Sequence, residues 1–161
     1  MTNLLPLDNF LSQYCVTPGK ILDVGGAGMM IPTFLEPLGF QYESLNLGRG
    51  TYDVEADPYH WTMIPDDTYD YVISVTAFEH IEFPWLTFLE MVRVTKKDGI
   101  IYILAPSTGP LHPNSLDCWR IFPDGMKALG KWGNVELIDI NIEVDTIWGY
   151  CGGIFKKVRA I

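Results

Sequence analysis

Short apolar runs alternate with amphipathic stretches along the chain, and the alternation predicts its elements. Lys20-Ile21-Leu22-Asp23-Val24 halts abruptly at Gly25-Gly26-Ala27-Gly28, a buried strand running into a tight turn. A short helix is expected before it, near residues 8–14. Residues 29–38 predict a helix, with Pro32 in its first turn and Pro37-Leu38-Gly39 at its end. Residues 40–47 predict a second strand closed by Gly48-Arg49-Gly50, and residues 52–55 a short third. Pro65-Asp66-Asp67-Thr68 turns the chain into an apolar fourth strand at 70–76. Pro84 suits the first position of a helix running to Val94. Within it Trp85, Phe88, Leu89 and Val92 recur at helical spacing, predicting a face packed on a sheet. Lys96-Lys97 suit that helix's negative end, and Gly99 follows its stop. Residues 100–105 are apolar throughout, as in a strand covered on both faces. A loop rich in Pro, His and Trp (106–122) leads to a short helix at 124–129 and strands at 135–140 and 147–158.

Strands alternating with helices through the first two thirds imply parallel pairing and right-handed crossovers, whereas the last two strands suit an antiparallel pair. The predicted architecture is a three-layer α/β/α sandwich on a mostly parallel, seven-stranded, Rossmann-like sheet. No repeat or linker interrupts residues 1–161, so the chain reads as one domain.

Composition narrows the function. Hydrophobic residues make up 48% of the chain, yet no apolar run approaches the ~20 residues of a membrane span. The first residues lack the basic and apolar regions of a secretory signal, so a cytoplasmic location is expected. A formal charge of −9 disfavours nucleic acids and anionic membranes as partners. Lys96-Lys97 and Lys156-Lys157 read as solvated charges. Cys15, Cys118 and Cys151 are widely spaced, which suits free, mostly buried thiols and no metal centre.

Ligands of open parallel sheets bind beyond the carboxyl ends of the strands, where the strand order reverses. Gly25, Gly26 and Gly28 allow the backbone to turn sharply there, and Asp23 can accept hydrogen bonds or face a cation. A P-loop is excluded, because Gly19-Lys20 is followed by Ile21 and precedes the strand. A dinucleotide fingerprint would need a third glycine where Ile31 stands. An NAD-dependent oxidoreductase is retained only as an alternative.

The run Ile21-Leu22-Asp23-Val24-Gly25-Gly26-Ala27-Gly28 resembles the first motif of class I S-adenosylmethionine-dependent methyltransferases. Residues 69–80, ending in Glu79-His80, resemble the family's fourth-strand motif, and Glu90–Val94 with Lys97-Asp98-Gly99 the helix and turn that follow. The loop carrying His112, Asp117, Trp119, Arg120 and Phe122 resembles that of small type 11-like members. The resemblance implies that Asp23, Gly25, Gly26 and Ala27 hold the methionine part of S-adenosylmethionine, the product being S-adenosylhomocysteine. It implies Asn46 at the ribose, where the family carries an acidic residue, and Asp57, Pro58 and Tyr59 on the adenine side, with Thr76 completing the cofactor set. Ala27 and Met29 stand where the family often has glycine.

His80 and His112 are candidate general bases, since histidine titrates near neutrality; the alternative is that each braces its loop. Glu79, Trp119 and Arg120 are candidate substrate contacts, with positioning of the cofactor or capping of the following helix as the competing roles for Glu79. For Arg120 an internal salt bridge to Asp117 or Asp124 competes with binding an acceptor carboxylate or phosphate. Tyr59 and Trp61 are open between adenine stacking and core packing, and Trp85, Trp132 and Trp148 are expected to pack. The expected activity is methyl transfer to a small molecule or sugar lodged among loops 77–84 and 106–122. A methyltransferase-like module with weak or no activity is the alternative. Oligomeric state is not legible.

Overall fold

Alternate residues of the central strands are buried in two different clusters, so the sheet is covered on both faces. Leu22, Val72, Ile101 and Ile103 belong to one cluster, with Phe88, Met91 and Val92 of a helix. Ile21, Ile73, Tyr102 and Leu104 belong to the other, with Phe10, Leu35 and Phe40. A period of two along each strand produces this division. The computed structural model describes residues 10, 12–26, 35–46, 54–112, 116–143 and 147–159.

The strands are β1 (Lys20–Val24), β2 (Gln41–Asn46), β3 (Val54–Glu55), β4 (Tyr69–Val75), β5 (Thr95–Thr108), β6 (Glu136–Ile142) and β7 (Gly149–Lys156). Two helices accompany them, α1 (Pro84–Val94) and α2 (Pro123–Trp132). The seven-stranded sheet has the order β3-β2-β1-β4-β5-β7-β6. β1 to β5 pair in parallel, and β7 is antiparallel to both β5 and β6. The predicted α/β/α sandwich and closing antiparallel pair are therefore present. Because β1 lies between β2 and β4, its carboxyl end marks the point where the strand order reverses, and a ligand-binding crevice is expected there.

Most of the predicted helix at 29–38 lies outside the described residues; Glu36–Leu38 form a 3-10 turn that Gly39 ends at φ 86°. That backbone suits glycine. Of the predicted amino-terminal helix, residues 12–14 are helical.

Four expectations change. The fifth strand begins at Thr95: Tyr69 pairs with Thr95 and Tyr71 with Ile100, so residues 96–99 bulge, with Asp98 at φ 65°. On α1, Pro84, Thr87, Phe88, Met91, Val92 and Val94 are buried while Trp85 and Leu89 are each 36% exposed. The sheet-facing stripe thus runs through 84, 87, 88, 91 and 92, and Trp85 borders it. Trp132 is likewise exposed rather than packed. Finally, Lys157 is buried: its Nζ donates to Asp67 Oδ1 (2.9 Å), Thr95 O (2.7 Å) and Arg93 O (3.2 Å). A residue remote in sequence thereby satisfies a carbonyl at the negative end of α1. Lys96 pairs instead with Asp70 at 2.8 Å.

Candidate active site

The turn after β1 is built on close contacts that exclude side chains. Gly25 has φ 82°, donates its N–H to Leu45 O at 2.7 Å, and would bring a Cβ within 2.4 Å of Ala77 Cβ. The turn after β1 and the segment after β4 therefore touch. Gly26 lies on the Asp23 carboxylate, which is 2% exposed. Tyr42 donates its hydroxyl to Asp23 Oδ2 at 2.7 Å. Burial pushes the Asp23 carboxyl up to about 6, and the Tyr42 bond only partly opposes this. Ala27 and Met29 lie outside the described residues.

Asn46 ends β2 as a buried amide, in register with Glu55 of β3. An amide here can donate to and accept from a hydroxyl, without the stronger charge-assisted bond of a carboxylate. Asp57, two residues past β3, is exposed; its Oδ1 accepts the N–H groups of Tyr59 (2.7 Å) and His60 (2.9 Å), which hold its pKa low. One of its oxygens thus shapes the local turn. Pro58 O accepts the Thr87 hydroxyl at 2.8 Å, tying this segment to α1. Trp61 is fully buried and belongs to the core. The Tyr59 ring sits 5.7 Å from Phe83.

Thr76 leaves β4 at φ 51°, a position that costs a β-branched residue about 1–3 kcal/mol. Its N–H donates to Leu104 O at 2.8 Å, holding the bend. The bend delivers Phe78–His80 as a 3-10 turn with Glu79 buried. Here three candidates from two distant parts of the sequence meet. Glu79 is 2% exposed, and its Oε1 lies 3.8 Å from His80 Nε2. The His80 and His112 rings stand edge to face with centroids 4.9 Å apart. His80 Nδ1 contacts Leu116 O. Burial raises the Glu79 pKa, with the charges of His80, His112 and Arg120 opposing the rise. The backbone N–H groups of Cys118 and Trp119 both donate to Glu79 O, fastening the post-β5 loop to the post-β4 turn.

Arg120 is engaged within its own loop. Its Nη1 donates to Asp117 Oδ1 (2.6 Å) and Trp119 O (2.8 Å), and its Nη2 to Asp117 Oδ2 (2.9 Å) and Pro110 O (2.9 Å). The internal salt bridge takes the fork that a carboxylate ligand would need. Asp117 also accepts the His112 N–H at 3.0 Å, and Arg120 holds its carboxyl well below the usual range. Trp119 donates its indole N–H to Ile81 O at 2.9 Å. Its ring lines an apolar groove of about 740 Å³ between α1 and α2, with Trp85, Phe122 and Trp132. Trp148 packs against His112 and Arg120.

Sequence reasoning missed Tyr42, the partner of Asp23, and Ser74, whose hydroxyl donates to Val24 O at 2.9 Å beneath the turn. Neither carries a local signal, because both partners come from neighbouring strands. The absence of a metal cluster was expected from spacing alone, yet Glu79, His80 and His112 gather donor atoms within 4.8 Å of one another. The thiols of Cys15 and Cys151 are buried and that of Cys118 is exposed.

The methyltransferase domain family matches residues 41–103. No curated protein is similar in sequence. Among solved structures, a Burkholderia thailandensis 1,6-didemethyltoxoflavin-N1-methyltransferase with bound S-adenosylhomocysteine superposes with a TM-score of 0.75 at 15% identity, covering 96% of this chain and 77% of that one. A methyltransferase from Archaeoglobus fulgidus, described as SAM dependent, gives 0.73 at 14% identity, covering 95% and 92%. The cyclase SpnF gives 0.76 at 12% identity, covering 95% and 80%. Such distant likeness shows a shared fold, and a fold hosts more than one chemistry. The family match over residues 41–103, the seven-stranded sheet and the glycine turn at its switch point agree with the resemblance to class I, Rossmann-like S-adenosylmethionine-dependent methyltransferases.

Proposed function

We propose that the chain transfers a methyl group from S-adenosylmethionine to a small-molecule acceptor, sugars included, seated beside Glu79, His80 and His112. The observation that carries the reading is the contact of Gly25 with Ala77. It sets the Asp23-Gly25-Gly26 turn against the segment bearing Glu79 and His80, on the edge where β2 ends in Asn46. When bound, the cofactor supplies an electrophilic methyl on a sulfonium, so the protein's work is orientation and proton management.

The donor set fits that group. The glycine turn offers backbone free of side chains at Gly25 and Gly26, and Ala27 is the next residue of the motif. Asn46 suits a ribose hydroxyl, Asp57 with Pro58 and Tyr59 the adenine side, and Thr76 the bend between cofactor and acceptor. His80 or His112 takes the acceptor's proton, Arg120 braces the His112 loop through Asp117, and Trp119 ties that loop to the segment after β4 through Ile81. A low-molecular-weight acceptor agrees with the net charge of −9, which opposes a nucleic-acid substrate. Among the described residues, no helix is long and apolar enough to cross a membrane. Free thiols agree with the reducing cytoplasm.

Calorimetry and thermal shift with S-adenosylmethionine and S-adenosylhomocysteine in excess chelator test the first half of the reading. Ligand at 100 times its Kd should stabilise the fold by about 2.7 kcal/mol. Methyl transfer to a panel of hydroxyl, amine and sugar acceptors tests the second half. Binding without turnover on any acceptor would favour a cofactor-binding module, and binding of NAD alone would favour an oxidoreductase.

A further inference from the structure

Glu79 poses a problem that the methyl-transfer reading leaves unsolved. Its Oε2 is buried without a hydrogen-bond donor in a residue that is 2% exposed, and a bare carboxylate is costly in such a place. Two imidazoles face it. His80 Nδ1 is engaged with Leu116 O, which leaves Nε2 as its free nitrogen, 3.8 Å from Glu79 Oε1. His112 Nδ1 stands 3.2 Å from Asp117 Oδ2, an ion-pair contact without hydrogen-bond alignment. Asp117 is held in turn by the Arg120 fork. An imidazole with one nitrogen turned to a carbonyl or carboxylate, and the other free, is how a metal-ligating histidine is oriented.

We propose that Glu79, His80 and His112 bind one divalent transition-metal ion of the zinc class. Two histidines and one carboxylate suit such an ion and leave a coordination position open. The three donors lie within 4.8 Å of one another. Metal–ligand bonds of about 2.0–2.2 Å set donor separations of roughly 3.3–3.5 Å in a tetrahedral site, so the three close in by up to about 1.5 Å on binding. The Cys118 and Trp119 amides on Glu79 O keep the two ligand-bearing loops together meanwhile. Charge permits the ion: Asp117 and Arg120 neutralise each other, and Glu79 remains as the site's own anion. With the ion bound both imidazoles are ligands and neither takes the acceptor's proton; that the open position receives the acceptor oxygen in their place rests on the methyltransferase reading, and the ion itself does not.

Titration of chelator-stripped protein with zinc chloride should give one equivalent bound, and cobalt(II) should give a visible absorption band. His112→Gln should weaken zinc binding at least about 100-fold, because it removes a ligand where loss of an outer partner alone costs 10–100-fold. His60→Gln, which changes an exposed histidine, should leave binding unchanged. If His112→Gln does not fold, nitrogen-15 imidazole spectra of the unaltered chain decide: zinc should shift two histidines and spare His60. No stoichiometric uptake, or equal loss in His60→Gln, overturns the metal site. Because cofactor binding is measured in chelator, a protein that binds S-adenosylhomocysteine but no zinc refutes only this inference. Zinc uptake without cofactor binding refutes only the methyltransferase reading.

Discussion

Gly26 rests directly on the carboxylate of Asp23: a Cβ at position 26 would stand 2.6 Å from both Cγ and Oδ2 of that side chain. Asp23 has no room to retreat, being buried and bonded to Tyr42. Gly26→Ala should therefore displace the carboxylate and the turn together, costing about 1–3 kcal/mol as overpacking does. Affinity for S-adenosylhomocysteine should fall with it. Chemical denaturation and calorimetry check the pair of effects; an alanine variant with unaltered stability and affinity would show that the turn does not need its glycine.

The same burial gives Asp23 a pH signature. Its folded pKa of about 6 lies above the ordinary 3.8, so folding favours the protonated acid. The associated stability is fully present below about pH 4 and is lost as pH rises through about 6. At 1.36 kcal/mol per unit the loss is on the order of 3 kcal/mol. Asp23→Asn keeps an acceptor for Tyr42 and removes the titration. The stability difference, natural protein minus variant, should decline between pH 4 and 6.5 and then level off. Glu79, also raised, is present in both chains and drops out of the difference, provided the two sites do not couple.

These two residues mark where the sequence was readable. Asp23 and the glycines after it lie in one local run, and so did β4, α1 and β7, whose apolar patterns are continuous along the chain. The bulge at 96–99 was not readable, since it depends on Asp98 N–H bonding to Lys157 O at 2.7 Å, a contact across the sheet. The exposure of Trp85 was missed because a helical repeat identifies a face only within a residue or so of its edge. His80 and His112 were each visible as candidates, but their meeting with Glu79 depends on how two loops fold over the sheet edge. Arg120 shows a third case: its pairing with Asp117 was one of two readings of the same letters, and only the geometry of the fork decides between them.

Asp117→Asn should loosen the loop that carries His112 without unfolding the sheet. Asparagine retains one acceptor but loses the two-pronged ion pair with Arg120 and the carboxylate beside His112. Amide exchange at Cys118 and Trp119, both bonded to Glu79 O, should quicken roughly tenfold while that of β1 and β4 is unchanged, as for local rather than global opening. The Asp117 pKa is lowered chiefly by Arg120. Its contribution is therefore present above the ordinary carboxylate range and lost as pH falls through the depressed value, so acid should quicken the same amides in the natural protein. Uniform exchange across the whole chain would count against a locally braced loop.

Lys157 tests whether the far edge of the sheet is held by one buried cation. Its three ammonium hydrogens have three partners, Asp67 Oδ1, Thr95 O and Arg93 O, and its backbone N–H donates to Gly99 O at 3.1 Å. The end of β7 is thus joined to the last turn of α1 and to the bulge that opens β5. Lys157→Met preserves much of the aliphatic stem but leaves two carbonyls without their donor and Asp67 without its counter-charge. Breaking a buried pair from one side costs about 3–5 kcal/mol, and Asp67 is partly solvated, so the lower figure is expected. Reversible denaturation measures it. Asp67→Asn should cost less, because both carbonyls keep their donor, and the double variant should cost less than the sum of the two. Equal effects of the two single variants would mean that the ion pair, and not the carbonyl contacts, holds this corner.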